Sequence, residues 1–310
     1  MNARLADRLA TVFFWLGAVI IILLLAALVG YLLFQGGRWL DPGFITRPPE
    51  NLKAGGGVGP QLFNSFYLLF LAMLFTIPLG VGAGIYLVEY AGKGDYNPAQ
   101  DLPQGKKATA FLLGVINLSV ETLASLPSIV VGLFGLLAFV VATGWGYSLL
   151  AGALALTVLN LPVMVRISQE ALQTVSGDLK EASLALGASR WETIWKIVLP
   201  AAFPGLVTGA IITAGRVFGE AAALLYTAGM SSPMLDFGDW NPLHPNSPLN
   251  PFRPAATLAV HIWKINSEAL IPDIRRVADG SAALLIIVVL VFNLLARWFG
   301  RYLYRRMTAS

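Results

Sequence analysis

Long apolar runs without charged residues recur along this sequence and limit what the chain can fold into. The first, residues 12–34, is about 23 residues long and would measure roughly 35 Å as an α-helix, enough to cross a bilayer. Of the 310 residues, 56% are hydrophobic and only 12% are charged. That charge is about half of what an average soluble domain carries. The sequence therefore predicts an all-α polytopic membrane protein.

Five later apolar runs complete a set of six predicted transmembrane helices. The run 12–34 is too long for the apolar region of a signal peptide and lacks a small-residue cleavage site, so we expect an uncleaved anchor. The other expected spans are 62–88, 123–143, 147–165, 201–226 and 282–299. Pro127 lies near the start of the third span, where its missing N–H is least costly.

The distribution of basic residues predicts how the chain is oriented. Seven of the 21 Lys and Arg fall on the side opposite the amino terminus: Arg38, Arg47, Lys53, Arg253, Lys264, Arg275 and Arg276. Arg216 lies within the fifth span, which leaves 13 (21 − 7 − 1), including Arg4, Arg8 and Lys93, on the side of the amino terminus. Because cytoplasmic loops are richer in basic residues, we expect an inner membrane protein with both termini cytoplasmic. Basic residues that flank apolar runs also argue against nucleic acid as a partner.

The predicted cytoplasmic loop 167–200 contains the most specific spacing in the chain. From Glu181 to Pro200 it reads EASLALGASRWETIWKIVLP. Ser176 is placed to cap a helix that runs to Leu186, and Gly187 suits the left-handed turn that ends such a helix. We call residues 176–200 the knob.

The second half of the knob carries its own start signal. Ser189 and Glu192 form an S-x-x-E capping box for another short helix. In that helix Ile194, Ile197 and Val198 share one face, and Pro200 is expected to end it. Two short helices joined at a glycine predict a compact unit that could sit in a groove of a partner. An amphipathic connector lying on the membrane surface is the alternative.

Charged residues inside the fifth span form a second candidate site. A charge at membrane depth costs roughly 2.5–3.5 kcal/mol unless it is paired or hydrated. Arg216 and Glu220 are four residues apart, so a continuous helix would place them on one face, where they can pair. The pair would leave guanidinium donors free for a tetrahedral oxyanion. A purely structural ion pair is the alternative, and Arg166 at the end of the fourth span is either a pathway residue or an interfacial anchor.

Several kinds of chemistry find no support in the sequence. The chain has no Cys, which excludes disulfides and thiolate metal sites. Its two histidines, His244 and His261, are expected to be exposed or interfacial rather than metal ligands. No phosphate-binding G-x-x-x-x-G-K-[ST] loop is present, so the sequence predicts neither a nucleotide site nor a cofactor on this chain. Gly80, Gly82 and Gly84 are expected to permit close helix packing.

The knob spacing resembles the EAA signature of ABC importer permeases, EAA-x3-G-x9-I-x-L-P. Further segments are similar to the PstA branch of that family, the permeases of bacterial phosphate importers. These are GGGVGP at residues 55–60, GRVFGEAAALLYTAG at 215–229, similar to R-x-x-GE-TAPLLFTA, and NLLAR at 293–297. The resemblance covers residues 10–306 approximately.

The resemblance implies a type I importer permease with an extra amino-terminal helix. Residues 1–60 would hold the tail, first helix and external loop, 61–303 the permease domain, and 304–310 a cytoplasmic tail. The implied partners are a second, PstC-like permease, a PstB-like ATPase dimer that binds ATP and Mg, and a periplasmic PstS-like phosphate-binding protein. Phosphate and membrane lipid would be the small-molecule contacts.

The resemblance also implies roles for particular residues. Those for the substrate pathway or gating are Arg216, Glu220 and Arg166. Those for ATPase coupling are Glu181, Ala182, Ser183, Gly187, Ile197, Leu199 and Pro200. The chain departs from the family at Gln169, which replaces an acidic residue while Glu170 remains. It departs again at Ala221 and Ala223, where Thr and Pro are usual, which removes a hydroxyl and a kink.

Two other functions fit parts of the sequence. A permease of the same class could carry a different oxyanion, such as sulfate, molybdate or phosphonate, since an arginine alone does not distinguish them. A membrane-embedded enzyme or an ungated channel could use Arg216 and Glu220. An enzyme would need a further nucleophile, base or metal ligand, and the predicted spans contain no His, Cys or Asp.

Overall fold

The computed structural model describes residues 3–50, 54–91, 104–268 and 271–308, and all regular elements in these ranges are helical. Lys53 and Lys93, which contribute to the charge distribution above, lie outside the described residues. The all-α fold predicted from the apolar runs is confirmed. Five continuous helical stretches have the length and apolar composition needed to cross a membrane, and a bent pair of helices adds a sixth.

The helices fall into long spans and shorter connecting elements. The long ones are α1 (Ala3–Gly37), α3 (Gly59–Ile85), α4 (Gln104–Ser125), α6 (Leu149–Gln173), α9 (Leu199–Gly219) and α12 (Ile274–Thr308). The shorter ones are α2 (Pro42–Thr46), α5 (Ser128–Gly135), α7 (Gly177–Ala185), α8 (Arg190–Thr193), α10 (Ala222–Leu225) and α11 (Leu258–Glu268). Turns of π-helix at Tyr86–Ala91, Leu136–Val141 and Ile194–Val198 extend α3, α5 and α8.

The third predicted span is bent rather than straight. Its two halves, Gly114–Ser125 and Ser128–Val141, meet at an angle of 103°. Pro127 sits at the bend with an extended backbone (φ −60°, ψ 138°), and its carbonyl accepts the N–H of Val130. Proline disfavours helical geometry in the residue before it, so Pro127 separates two helices. The predicted span over 123–143 is therefore broken at Pro127 rather than one straight helix.

Small residues bring α3, α6 and α9 close together. A Cβ on Gly80 would lie 2.5 Å from Met164 Cγ, and one on Gly84 would lie 2.6 Å from Ser168 Cβ. A Cβ on Gly209 would likewise lie 2.6 Å from Ile167 Cγ2. Contacts this short require glycine, as expected for helices that pack in lipid. Gly82 has nothing within 4 Å of its Cβ position, so its predicted packing role is wrong.

The first helix lies at the edge of the bundle. None of the most apolar window of α1 is buried, and α1 packs against α12. The closest approach is at Gly36, where a Cβ would lie 2.0 Å from the carbonyl oxygen of Asp279. The end of α1 thus meets the beginning of α12, so the two helices run antiparallel. This peripheral position fits the extra amino-terminal helix that the resemblance implies.

A cap closes the end of the bundle opposite the knob. We define the cap as residues 226–268; it includes α11. The N–H of Leu149, the first residue of α6, donates to Arg253 O in the cap, whereas the last turn of α6 leads into the knob. His261 in α11 is only 5% exposed, so the prediction that it is exposed or interfacial is wrong. Among the described residues no cluster of His, Cys, Asp or Glu could hold a metal ion.

Candidate coupling knob and charged residues of the spans

The first half of the knob folds as its capping residues predict. Ser176 Oγ accepts the N–H of Asp178 (3.3 Å), and α7 follows from Gly177. Gly187 has φ +86°, the left-handed conformation. Beside it, the N–H of Ala188 donates to Ser183 O (3.2 Å), which satisfies a carbonyl at the helix end. These predictions are confirmed.

The second half begins with the predicted capping box but does not stop where expected. Ser189 Oγ accepts the N–H of Glu192 (3.2 Å), and Glu192 Oε2 accepts the N–H of Ser189 (3.0 Å). After α8, a π-helical turn ends just before Leu199, so Pro200 falls in the first turn of α9, where its missing N–H is tolerated. The helical path 190–219 is continuous, and the prediction that Pro200 ends the helix is wrong.

This continuity gives the knob a direct mechanical connection to a transmembrane span. The connecting turn is also tightly packed, since its Ile194 and Val198 are buried. Val198 belongs to an apolar cluster with Leu172 of α6 and Leu206 of α9. The cluster couples the knob to two spans at once.

Two buried polar contacts fix the knob to the bundle and to itself. Lys180 Nζ lies 2.6 Å from Glu89 Oε1, in the π-helical turn that ends α3, and both side chains are largely buried (17% and 9% exposed). The hydroxyls of Ser183 and Thr193 lie 2.9 Å apart and share a buried hydrogen bond between α7 and α8. Ser183 is the third residue of the Glu-Ala-Ser segment that begins at Glu181. Its side chain therefore holds α7 and α8 together inside the knob and does not belong to the outer surface.

The outer surface of the knob exposes the first two residues of its Glu-Ala-Ser segment and several large apolar side chains. Glu181 and Ala182 are exposed, and Leu186 is 89% exposed. Trp191 and Trp195, one turn apart, are also exposed, with their rings edge to face at 5.5 Å. Exposed aromatic and aliphatic groups of this kind are typical of a surface that meets another protein or the membrane interface. The sequence analysis missed the two tryptophans, although their spacing of four was a usable signal.

The predicted coupling residues of the connecting segment lie deeper. Ile197, Leu199 and Pro200 are half-buried where the knob joins α9. They position the surface formed by Glu181, Ala182 and Leu186 rather than extend it.

Arg216 and Glu220 do not form the expected pair on one helix. The α-helix ends at Gly219, and Glu220 has an extended backbone (φ −76°, ψ 124°). Glu220 Oε1 accepts the N–H of Ala223 (3.2 Å), which caps the short helix α10. None of the ion pairs in the described residues joins the two side chains. The prediction that they share a helix face is wrong, because the helix breaks between them.

The break at Glu220 does not need a proline. The sequence analysis expected Ala223 to remove a kink, yet the chain still turns away from α9 at this point. Glycine at 219 and the capping carboxylate of Glu220 are sufficient. A Cβ on Gly132 of α5 would lie 2.8 Å from Ala223 Cα, so the two interrupted segments contact each other. Irregular backbone at membrane depth is tolerated where protein buries it or water solvates it.

Arg216 faces away from the core of the chain. Ile212, Arg216 and Gly219 form an exposed stripe along α9, whereas Ala214 and Val217 on the other side are buried. An arginine that faced hydrocarbon would be costly. The stripe is therefore suited to a hydrated pathway or to the surface of another subunit.

Arg166 lies at a different level from Arg216. Its Nε is 3.6 Å from Glu170 Oε1, and both side chains are exposed. The acidic partner is therefore Glu170, four residues on, which takes the place of the acidic group missing at Gln169. Because Ile167 packs on Gly209, Arg216 lies about two turns, or roughly 10 Å, closer to the cap than Arg166. The structure does not bring the two arginines together.

Comparisons with known proteins agree with this architecture. Residues 105–309 match the family described as binding-protein-dependent transport system inner membrane component. The chain is 53% identical to the probable ABC transporter permease protein YqgI of Bacillus subtilis (strain 168), over 100% of each chain. It is 34% identical to the phosphate transport system permease protein PstA of Yersinia pestis, over 82% of this chain and 75% of that protein.

Solved structures show the same fold. A chain of a bacterial alginate ABC transporter, in complex with a pentasaccharide-bound periplasmic protein, matches with a TM-score of 0.65 at 14% identity, over 97% of this chain and 96% of that one. A chain of the MetNI methionine ABC transporter in an inward facing conformation matches with a TM-score of 0.54 at 22% identity, over 79% and 93%. At these identities the likeness concerns the fold alone.

Proposed function

The chain belongs to the family of binding-protein-dependent transport system inner membrane components, and we propose that it is a permease subunit of an ATP-driven phosphate importer. The observation that carries this proposal is the continuous helical path from the exposed knob surface through α8 into α9, which presents Arg216. One chain thus holds a docking surface and an exposed cation on the same helical stretch. Relatives named as phosphate transport permeases supply the choice of substrate.

The knob is the proposed docking site for a PstB-like ATPase dimer. Glu181, Ala182, Leu186 and the two tryptophans would enter a groove of the ATPase, the helix-in-groove mode of recognition. ATP and Mg would be bound by that dimer. Docking requires the knob on the cytoplasmic side, which places both termini in the cytoplasm and the cap in the periplasm, where a PstS-like binding protein would deliver phosphate.

The stripe on α9 is the proposed contribution to the pathway. A guanidinium binds a tetrahedral oxyanion through two parallel N–H donors, and Arg216 is positioned to offer them to passing phosphate. A second, PstC-like permease would supply the facing wall, which would keep Arg216 from the lipid. Glu220 lies at the helix break and Arg166 lies near the knob end. Their charges would contribute to the electrostatic potential along the proposed phosphate pathway.

The experiment that tests the proposal is transport by the reconstituted complex. The chain would be co-purified with its genomic neighbours, placed in proteoliposomes that enclose ATP, and supplied with labelled phosphate and the binding protein. We expect uptake that stops when the nucleotide-binding lysine of the ATPase is replaced. Labelled sulfate, molybdate and methylphosphonate are supplied in parallel assays. Uptake of one of these and not of phosphate would assign the permease to that oxyanion and refute the phosphate proposal.

A further inference from the structure

A cavity between α9 and α12 lies outside both the knob surface and the stripe around Arg216. Its volume is about 210 Å³, below the range of about 300–1,000 Å³ that holds a whole drug-sized ligand. Its lining comes from one face of each helix: Pro204, Val207, Thr208, Ile211, Arg297, Gly300, Arg301 and Tyr304. A site of this size fits a head group rather than a whole small molecule.

The cavity is organised around a close contact of the two helices. A Cβ on Gly300 would lie 2.5 Å from Val207 Cγ1, so α9 and α12 touch at this glycine. Val207 follows the knob by two turns, which places the cavity at the knob end of the bundle. The cavity therefore borders the helix that leaves the knob.

The charged part of the lining is entirely cationic. Arg297 and Arg301 are one turn apart on α12 and reach the cavity from the same side. No lining residue is acidic, and neither arginine takes part in an ion pair in the part of the chain that the structure describes. Guanidinium groups bind phosphate oxygens through several donors at once. The two guanidinium groups that line this cavity are therefore suited to bind one phosphate group.

The rest of the lining and its surroundings indicate a membrane-interface position. Pro204, Val207 and Ile211 give the cavity an apolar wall. On α12, Trp298 and Tyr302 are exposed and stacked with ring centroids 5.9 Å apart. Tryptophan and tyrosine concentrate where the hydrocarbon meets the head groups. The arginines therefore lie at head-group level, with an apolar wall beside them.

We propose that this cavity binds a phosphate group through Arg297 and Arg301. Two sources carry that chemistry, the head group of an anionic phospholipid and inorganic phosphate. The apolar wall and the aromatic residues favour the lipid, since its acyl chains would lie along Val207 and Ile211 while the phosphodiester meets the arginines. Basic pockets between transmembrane helices on the cytoplasmic side are suited to such head groups. The site is additional to the transport route and does not depend on phosphate being the cargo.

The test measures lipid binding by the purified complex that contains the full chain. The complex is held in a neutral detergent and given equal amounts of phosphatidylglycerol and phosphatidylcholine, and native mass spectrometry counts the molecules of each retained. We expect phosphatidylglycerol to be preferred. The R297Q/R301Q double variant should weaken its binding at least about tenfold, because it removes both guanidinium groups and their charge-assisted hydrogen bonds.

The R4Q/R8Q variant is the matched control. Arg4 and Arg8 are exposed and lie on the same predicted side of the membrane, so the variant removes the same charge without touching the cavity. It should leave phosphatidylglycerol binding unchanged. Equal losses in the two double variants would mean attraction to net charge alone and would overturn the proposal. So would the absence of any preference for phosphatidylglycerol in the unaltered complex.

Two further measurements are needed. The first identifies the source of the bound phosphate group, and the second uses a variant that keeps both arginines, so that the conclusion does not depend on correct folding of R297Q/R301Q. Excess inorganic phosphate should not displace the lipid; displacement, with phosphate binding that is lost in R297Q/R301Q, would reject the lipid and assign free phosphate. Thr208→Phe fills the cavity from α9 while both arginines remain. It should reduce lipid binding as well, and undiminished binding in this variant would place the lipid elsewhere and refute the proposal.

Discussion

Two arginines illustrate how the same side chain serves packing in one place and is left available in another. Arg253 in the cap is only 3% exposed; its Nη2 donates to Asn64 Oδ1 (2.8 Å) and Pro248 O (3.0 Å). Burial lowers the pKa of Arg253 to about 10. Arg216 is exposed on α9 and has no ion-pair partner among the described residues. Arg253 thus ties the cap to α3, whereas Arg216 is free to meet a ligand.

Replacing Arg216 with Gln should abolish phosphate uptake while leaving the complex assembled. The change removes the charge of an exposed side chain that has no ion pair among the described residues, so its cost in stability should be small. The measurements are labelled uptake and recovery of the partner subunits. Arg216→Lys, which keeps the charge but loses the fork of donors, should retain a fraction of the activity.

The control for this variant is Arg275→Gln, which removes an exposed arginine near the start of α12. It should transport normally. Normal uptake in Arg216→Gln would show that the exposed stripe on α9 does not carry the substrate.

His261 should make the cap sensitive to acid. Desolvation, with a smaller effect of Lys264, lowers the pKa of the buried His261 from 6.5 to about 4. Between these values the unfolded chain binds a proton that the folded chain does not, so stability is lost as pH falls from about 6.5 to about 4. The loss is on the order of 3 kcal/mol. The melting temperature of the purified complex, followed from pH 7.5 to pH 4, measures it.

His261→Asn should flatten this dependence, whereas His244→Asn should preserve it. His244 is the second of the chain's two histidines and lies exposed beside Asp239. An unchanged pH profile in His261→Asn would mean that other groups cause the acid sensitivity.

At the scale of elements, the sequence predicted those features that depend on neighbouring residues. Ser176, Gly187 and the Ser189–Glu192 box adopt the predicted geometry because caps and left-handed turns are determined locally. The helix break before Glu220 and the continuation of the helix through Pro200 were predicted wrongly, and the bend at Pro127 was not foreseen. In each case hydrophobicity indicates membrane depth but not helix direction, and the outcome depends on which neighbour packs against the segment. Gly132 against Ala223 is one such contact, and no pattern in the sequence reveals it.

Gly187→Val should weaken association with the ATPase. A β-branched residue is strongly disfavoured at φ +86°, so the turn between α7 and α8 must rearrange. Gly177→Val is the matched control, since both glycines have nothing within 4 Å of the Cβ position and only Gly187 has a positive φ. Recovery of the ATPase on the affinity-purified chain should fall for Gly187→Val alone. Equal recovery from both variants would mean that the turn geometry is not needed for docking.

The Lys180–Glu89 contact should hold the knob in register with α3. Removing one partner leaves an uncompensated, largely buried charge, which costs about 3–5 kcal/mol. Lys180→Met and Glu89→Gln should each lower the melting temperature and the uptake rate. The double variant should lose less than the sum of the two, which a double-mutant cycle measures. Additive losses would indicate that the two side chains do not interact.

For the whole molecule, the decisive property is that the knob and the cap lie at opposite ends of one bundle. The knob follows the last turn of α6, and the cap binds its first residue through Arg253 O. Six spans, with α4 and α5 counted as one, would return the carboxyl terminus to the side of the amino terminus. ATPase docking and delivery of substrate therefore require that these two ends face different compartments.

Single cysteines can establish this orientation, because the natural chain has none. Leu186→Cys in the knob and Leu243→Cys in the cap replace leucines that are 89% and 85% exposed, so both thiols should be reactive. A membrane-impermeant maleimide should label Leu243→Cys in intact spheroplasts and Leu186→Cys only after permeabilisation. The chain is expressed without the ATPase, which would otherwise cover Leu186, so that both sites are accessible and a difference in labelling reports the membrane side. Labelling of Leu186→Cys in intact spheroplasts would place the knob outside, where no ATPase could reach it, and the coupling mechanism would have to be abandoned.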